Sequence, residues 1–121
     1  VATFDDDVRV TAHLPEVSVS TSYGTPALKV RGKAFCRLWG ERDRPRAEVE
    51  GDVLVVFCDV DEKRFLLDES DGSVFTAPHY DGYGAVLVNL DIVDESLLED
   101  LLLDSYLLKA PASIRRLFTS G

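Results

Sequence analysis

The chain has 121 residues, 45% of them apolar, enough to bury a core, and this excludes a disordered acidic tail. Its formal net charge is -9, from 22 acids and 13 bases. That balance weighs against generic polyanion binding and against docking on an acidic membrane surface, and no apolar run reaches the ~18 residues of a spanning helix.

In chain order, "FDDDVRVTAHL" over 4–14 predicts a first helix, with an extended run through Val8, Val10 and Leu14 as the alternative. Phe4, Val8 and Ala12 recur at four-residue spacing, Asp5 to Asp7 occupy the first turn, and Pro15 stops the run. Residues 18–26 are rich in Ser, Thr, Gly and Pro and read as a loop. Ala27 to Val30 and Lys33 to Leu38 then form a hairpin around Arg31-Gly32. With a two-residue loop, Val30 faces Lys33, Leu28 faces Phe35, and Lys29 faces Ala34. "ERDRPR" over 41–46 is a charged turn, and "VLVVFCDV" over 53–60 is a central strand.

Asp61 is the expected cap of a short helix with Phe65 and Leu66 turned inward. A brief strand at Val74 to Thr76 precedes the loop "APHYDGYG", and Ala85 to Leu90 returns to the sheet. Asp94 caps the last long helix, where Leu97, Leu98, Leu101, Leu102, Ser105 and Leu108 make one face; it ends near Lys109, before Pro111. "SIRRLF" adds a helical tail. The fold class is therefore a single α+β two-layer domain over 1–121, an antiparallel sheet of four or five strands covered by N- and C-terminal helices.

The stretches "SYGTPALKVRGKAF", "PHYDGYGAVLVNL" and "LLLDSYLLKAP" resemble the MmcQ/YjbR-like family of small bacterial proteins. Gly24, Pro26, Val30, Gly32, Lys33 and Phe35 match its early hairpin; Leu90, the helix start at Asp94, Leu101, Leu102, Ser105 and Tyr106 match its final strand and helix. The match runs from about Leu14 to Arg116. The resemblance implies a fold like frataxin or the secretion chaperones, and a family often labelled DNA-binding, with no shared catalytic set to transfer. Many members carry a Trp and basic residues just before the last strand, where this chain has Tyr83 and Gly84, with Asp81 nearby.

Three groups of residues are candidates for function. Between Lys29 and Arg46 lie seven bases against two acids, a net of +5 that leaves -14 for the rest of a chain totalling -9. Lys29, Arg31, Lys33 and Arg37 on the hairpin are the nucleic-acid candidates, expected to share an exposed positive surface that contacts phosphates. The other readings are a solvated surface paired with Glu48, Glu50 and Asp52, and a protein-docking patch. The second group, Tyr23, His79, Tyr80 and Tyr83, with Trp39 as a further member, reads as loop packing beside Pro78, with a small-ligand or peptide pocket as the functional alternative; no nucleophile accompanies His79. The third, Asp91, Asp94, Glu95, Glu99, Asp100 and Asp104, reads as a cap and a solvated face, not a metal site. Cys36 and Cys58 lack metal-finger spacing and read as thiols of a cytosolic protein, with a disulfide or reactive chemistry as the alternatives. The expectation is a cytoplasmic non-enzyme without cofactor, metal or membrane contact. Its partner is DNA, or else a protein or a second copy of itself.

Overall fold

A computed structural model describes residues 4–22, 25–39, 52–69, 72–76 and 84–119. Helix α1 spans Phe4–Thr11, with Asp5, Asp6 and Asp7 in the first turn, where the helix dipole favours acids. Arg9 Nη2 holds Asp6 at 2.8 Å, and Thr11 Oγ1 donates to the Asp7 carbonyl at 2.8 Å. The helix stops three residues short of Leu14, which turns in and is buried.

Strand β1, Val17–Ser22, follows where composition reads as loop. Its backbone ladder runs the full length of β2, Thr25–Val30, from Val17 opposite Val30 to Ser22 opposite Thr25. The alternation Val-Ser-Val-Ser-Thr supplies β-branched residues at every second position, which suits a pleated edge strand better than a loop. Among the described residues the sheet therefore has six strands, ordered β1-β2-β3-β4-β6-β5, with β3 at Lys33–Leu38, β4 at Val53–Phe57, β5 at Val74–Phe75 and β6 at Ala85–Asn89. Every neighbouring pair is antiparallel, and β4 is internal as expected.

The β2–β3 turn has Arg31 at φ 47 and Gly32 at φ 81, the left-handed pair of a two-residue type I′ hairpin. Val30 faces Lys33 and Lys29 faces Ala34, but Leu28 faces Cys36 instead of Phe35. A β-bulge makes the difference: Phe35 is the extra residue, so Phe35 and Cys36 both enter the same core cluster.

The other described helices are α2 (Val60–Glu69), α3 (Glu95–Lys109) and α4 (Ala112–Thr119). The cap of α2 is Asp59, whose Oδ1 accepts from the Asp61 amide at 2.9 Å, so Asp61 itself lies inside the helix. This phase leaves Phe65 70% exposed and turns Leu66, Leu67 and Lys63 inward. Asp94 caps α3 as expected, accepting from the Leu97 amide. The buried stripe of α3 is Leu98, Leu101, Leu102, Ser105 and Tyr106, while Leu108 stays out.

Helix α3 packs on β3 and β4, α1 packs on α3, and α2 packs on β5 and β6. The main core lies between this helical layer and one sheet face, with Leu28, Phe35, Leu54, Val86, Leu102 and Tyr106 fully buried. A smaller cluster of Val53, Val55, Ala85 and Leu87 occupies the other face, with Trp39, Phe57 and Phe75 against it. Two adjacent residues of α3 pin the layers. Ser105 Oγ donates to the carbonyl of the bulged Phe35, and Tyr106 Oη donates to the Pro15 carbonyl at 2.7 Å. The Tyr106 ring meets Phe35 edge-on, centroids 5.8 Å apart. Gly84 is dictated by a close approach: a Cβ there would lie 2.8 Å from the Cys58 carbonyl oxygen.

Candidate interaction surface

The hairpin register decides where the basic residues point. Arg37 faces Ala27 on β2 and Val55 on β4, which places it on the sheet face of the smaller cluster. Lys29, opposite Ala34, shares that face. Lys33 is opposite Val30, a residue of the main core, and so belongs to the helical-layer side, where it is exposed at the strand end. Arg31 sits on the turn, and its Nε donates to both carboxylate oxygens of Glu16, at 3.0 and 2.9 Å. This pairing raises the Arg31 pKa, first through the hydrogen bond and then through the charge. The four bases are thus divided: two on one face, one on the other, and one engaged at the tip. Arg37 also donates to the Leu38 carbonyl at 3.3 Å. Arg42, Arg44, Arg46, Glu48 and Glu50 lie outside the described residues.

All four aromatic-loop candidates, Tyr23, His79, Tyr80 and Tyr83, also lie outside the described residues. Trp39 is half-buried and meets Phe75 edge-on at 6.3 Å. On the acidic helix, Asp94 is the cap, while Glu95, Glu99, Asp100 and Asp104 are exposed. Partial burial, then the neighbouring Asp100, pushes the Asp104 carboxyl up. Among the described residues, no group of three or more His, Cys, Asp or Glu side chains is placed to hold a metal ion. A cleft of about 280 Å³ lies between the start of α2 and α3, lined by Cys58, Asp59, Glu62, Asp104, Leu107 and Leu108.

Cys36 and Cys58 are both free thiols. Burial pushes Cys36 well up and Cys58 up, which keeps both protonated at neutral pH and lowers their nucleophilicity. Asp7 is fully buried, and among the described residues neither carboxyl oxygen has a hydrogen-bond partner. Burial, with a smaller contribution from Asp6, lifts its pKa to about 8.

The feature that sequence reasoning missed is the β1 edge. Ser18, Val19, Ser20 and Thr21 are all exposed, four consecutive residues of a strand. Among the described residues, no strand pairs with the outer side of β1. Val19 is opposite Leu28 and so lies on the helical-layer face, yet it is 58% exposed because α3 lies over β3 and β4. The signal was present in the alternation of β-branched residues with serines between Val17 and Ser22.

Among the described residues, no helix is long and apolar enough to cross a membrane. The YjbR family model matches residues 12–108. The chain is 30% identical to the uncharacterized proteins Rv2570 of Mycobacterium tuberculosis and Mb2600 of Mycobacterium bovis, over 132 aligned positions covering 100% of this chain and 98% of each relative. The crystal structure of Deinococcus radiodurans protein DR2400, whose domain is named DUF419, superposes with a TM-score of 0.71 at 22% identity, covering 98% of this chain and 88% of that one. The resemblance in the hairpin, last strand and long helix thus extends over most of the chain, and the protein belongs to the YjbR family.

Proposed function

We propose that the protein is a non-catalytic recognition module that takes an extended segment of another chain onto the open edge of β1. The observation that carries this reading is the run of four exposed residues, Ser18 to Thr21, on a sheet edge that no described strand covers. Pairing with β2 already orders β1, so an incoming strand gains main-chain hydrogen bonds without the entropy loss of folding its receptor. Edge strands are ordinarily blunted by Lys, Pro or a bulge, and β1 has none of these. Exposed Val19 supplies an apolar contact for an incoming side chain. The two free thiols suit a reducing, cytoplasmic setting.

A second reading is DNA binding through the hairpin, favoured by the +5 segment and by Lys29 and Arg37 sharing one face. The Arg31–Glu16 pair removes charge from the tip, and the acidic remainder of the chain opposes a long polyanion.

One titration separates the two. Backbone amide shifts are followed by NMR with an acetylated peptide of alternating Thr and Val flanked by Lys, and in parallel with a short DNA duplex. Strand addition predicts peptide-induced shifts centred on residues 17–22 that persist in salt. DNA binding predicts duplex-induced shifts at Lys29 and Arg37 that fade as salt rises. No response in β1 to peptide at about 1 mM overturns the first reading.

A further inference from the structure

We infer that the strand which completes this edge is β1 of a second copy, so that two chains form one continuous twelve-stranded sheet about a two-fold axis at Val19. This rests on the strand-addition reading above and names its partner.

An antiparallel pair of identical edge strands related by a two-fold axis keeps the two sheet faces aligned, so each residue must oppose one of the same face. Centring the axis on Val19 satisfies this. Val19 then opposes its own copy, Ser18 opposes Ser20, and Val17 opposes Thr21. The sequence Val17-Ser18-Val19-Ser20-Thr21 is close to a palindrome about that point, with β-branched residues matched to β-branched ones and serine to serine. An isologous interface requires this self-complementarity, whereas an unrelated peptide does not.

Charge points to the same partner. A chain of net charge -9 repels its own copy over most of its surface. From Val17 to Leu28 there are twelve residues without a charge, so two copies can approach here without opposing like charges. The pairing also covers the one described apolar side chain of β1 that is mostly exposed: the two Val19 side chains would meet on the helical-layer face, beyond the reach of α3. A contact of six residues per chain is smaller than a standard interface of about 1,600 Å², so association is weak and concentration-dependent.

Sedimentation velocity on the intact chain tests this, from about 10 μM to about 1 mM. The expected result is a mass rising from one chain of 13.4 kDa towards two, and a return to one chain for Val19→Lys, which sets two ammonium groups face to face. Because Val19 is exposed, an unchanged circular dichroism melt verifies that this variant folds. A second variant, Val19→Cys, should cross-link to a dimer under mild oxidation about tenfold or more faster than Ile92→Cys, whose residue is equally exposed but lies elsewhere. A single chain at every concentration overturns the proposal, as does a dimer indifferent to Val19→Lys. If the chain stays single while the Thr/Val peptide still shifts β1 amides, the second copy fails as partner and strand addition stands. If neither occurs, both fail.

Discussion

The two sides of the sheet obey the same hydrogen-bonding rules and end in opposite states. On β3, β4 and β6, residues such as Leu54, Val56 and Val86 are sealed beneath the helical layer, and Val53, Val55 and Leu87 are buried on the reverse face. On β1, the backbone pairs over six residues, yet Ser18 to Thr21 stay in water. The difference is coverage. Helix α3 reaches β3 and β4, and its anchors Ser105 and Tyr106 hold it there. Secondary structure alone therefore does not determine a strand's surroundings; an ordered strand without a cover leaves its outer backbone groups open to solvent.

The strongest way to break this contrast is to remove a side chain under the helix. Phe35→Ala deletes the ring that fills the bulge and meets Tyr106, and should destabilise the fold by about 3–5 kcal/mol, read from chemical denaturation. Next comes Asp7, whose carboxyl is sealed inside α1's packing face with a folded pKa near 8 against an ordinary 3.8. Its protonated form is favoured in the folded state. That stability is fully present below the ordinary value and is lost as pH rises through about 8. Denaturation curves between those limits should show stability falling with pH, and Asp7→Asn should flatten the trend, an effect on the order of a few kcal/mol. Gly84→Ala places a methyl group 2.8 Å from the Cys58 carbonyl and should cost about 1–3 kcal/mol by the same denaturation measurement. The smallest effect sharpens the contrast from the open side: Val19→Thr should shift stability by no more than about 0.5 kcal/mol, because Val19 is mostly solvated in the single chain.

What the sequence revealed follows the range of each interaction. The Arg31-Gly32 hairpin and the Asp94 cap were legible because their causes lie within four residues. Strand β1 was misread because serine and threonine are loop-forming by composition but strand-forming when they alternate with valine beside a partner. The bulge could not be seen, since the Phe35 carbonyl is held by Ser105, 70 positions away. Leu66 turns inward as expected, but Phe65 does not: α2 starts at its Asp59 cap and packs Leu66 and Leu67 against the core. At the candidate site, charge density was visible and its direction was not. Alternation across β2 and β3 sends Lys33 to one side and Lys29 and Arg37 to the other, and Glu16, which engages Arg31, sits 15 residues upstream.

The hydrogen bond from Tyr106 to the Pro15 carbonyl spans 91 positions. A ribosome adds roughly 5–20 residues each second, so the donor is made roughly 5–20 s after the acceptor. Throughout that interval α1 and the start of β1 exist without the helix that fastens them. Folding of the amino-terminal third is thus tied to the completion of the carboxy-terminal third, and a chain cut short before α3 leaves β3 and β4 without the helix that packs on them.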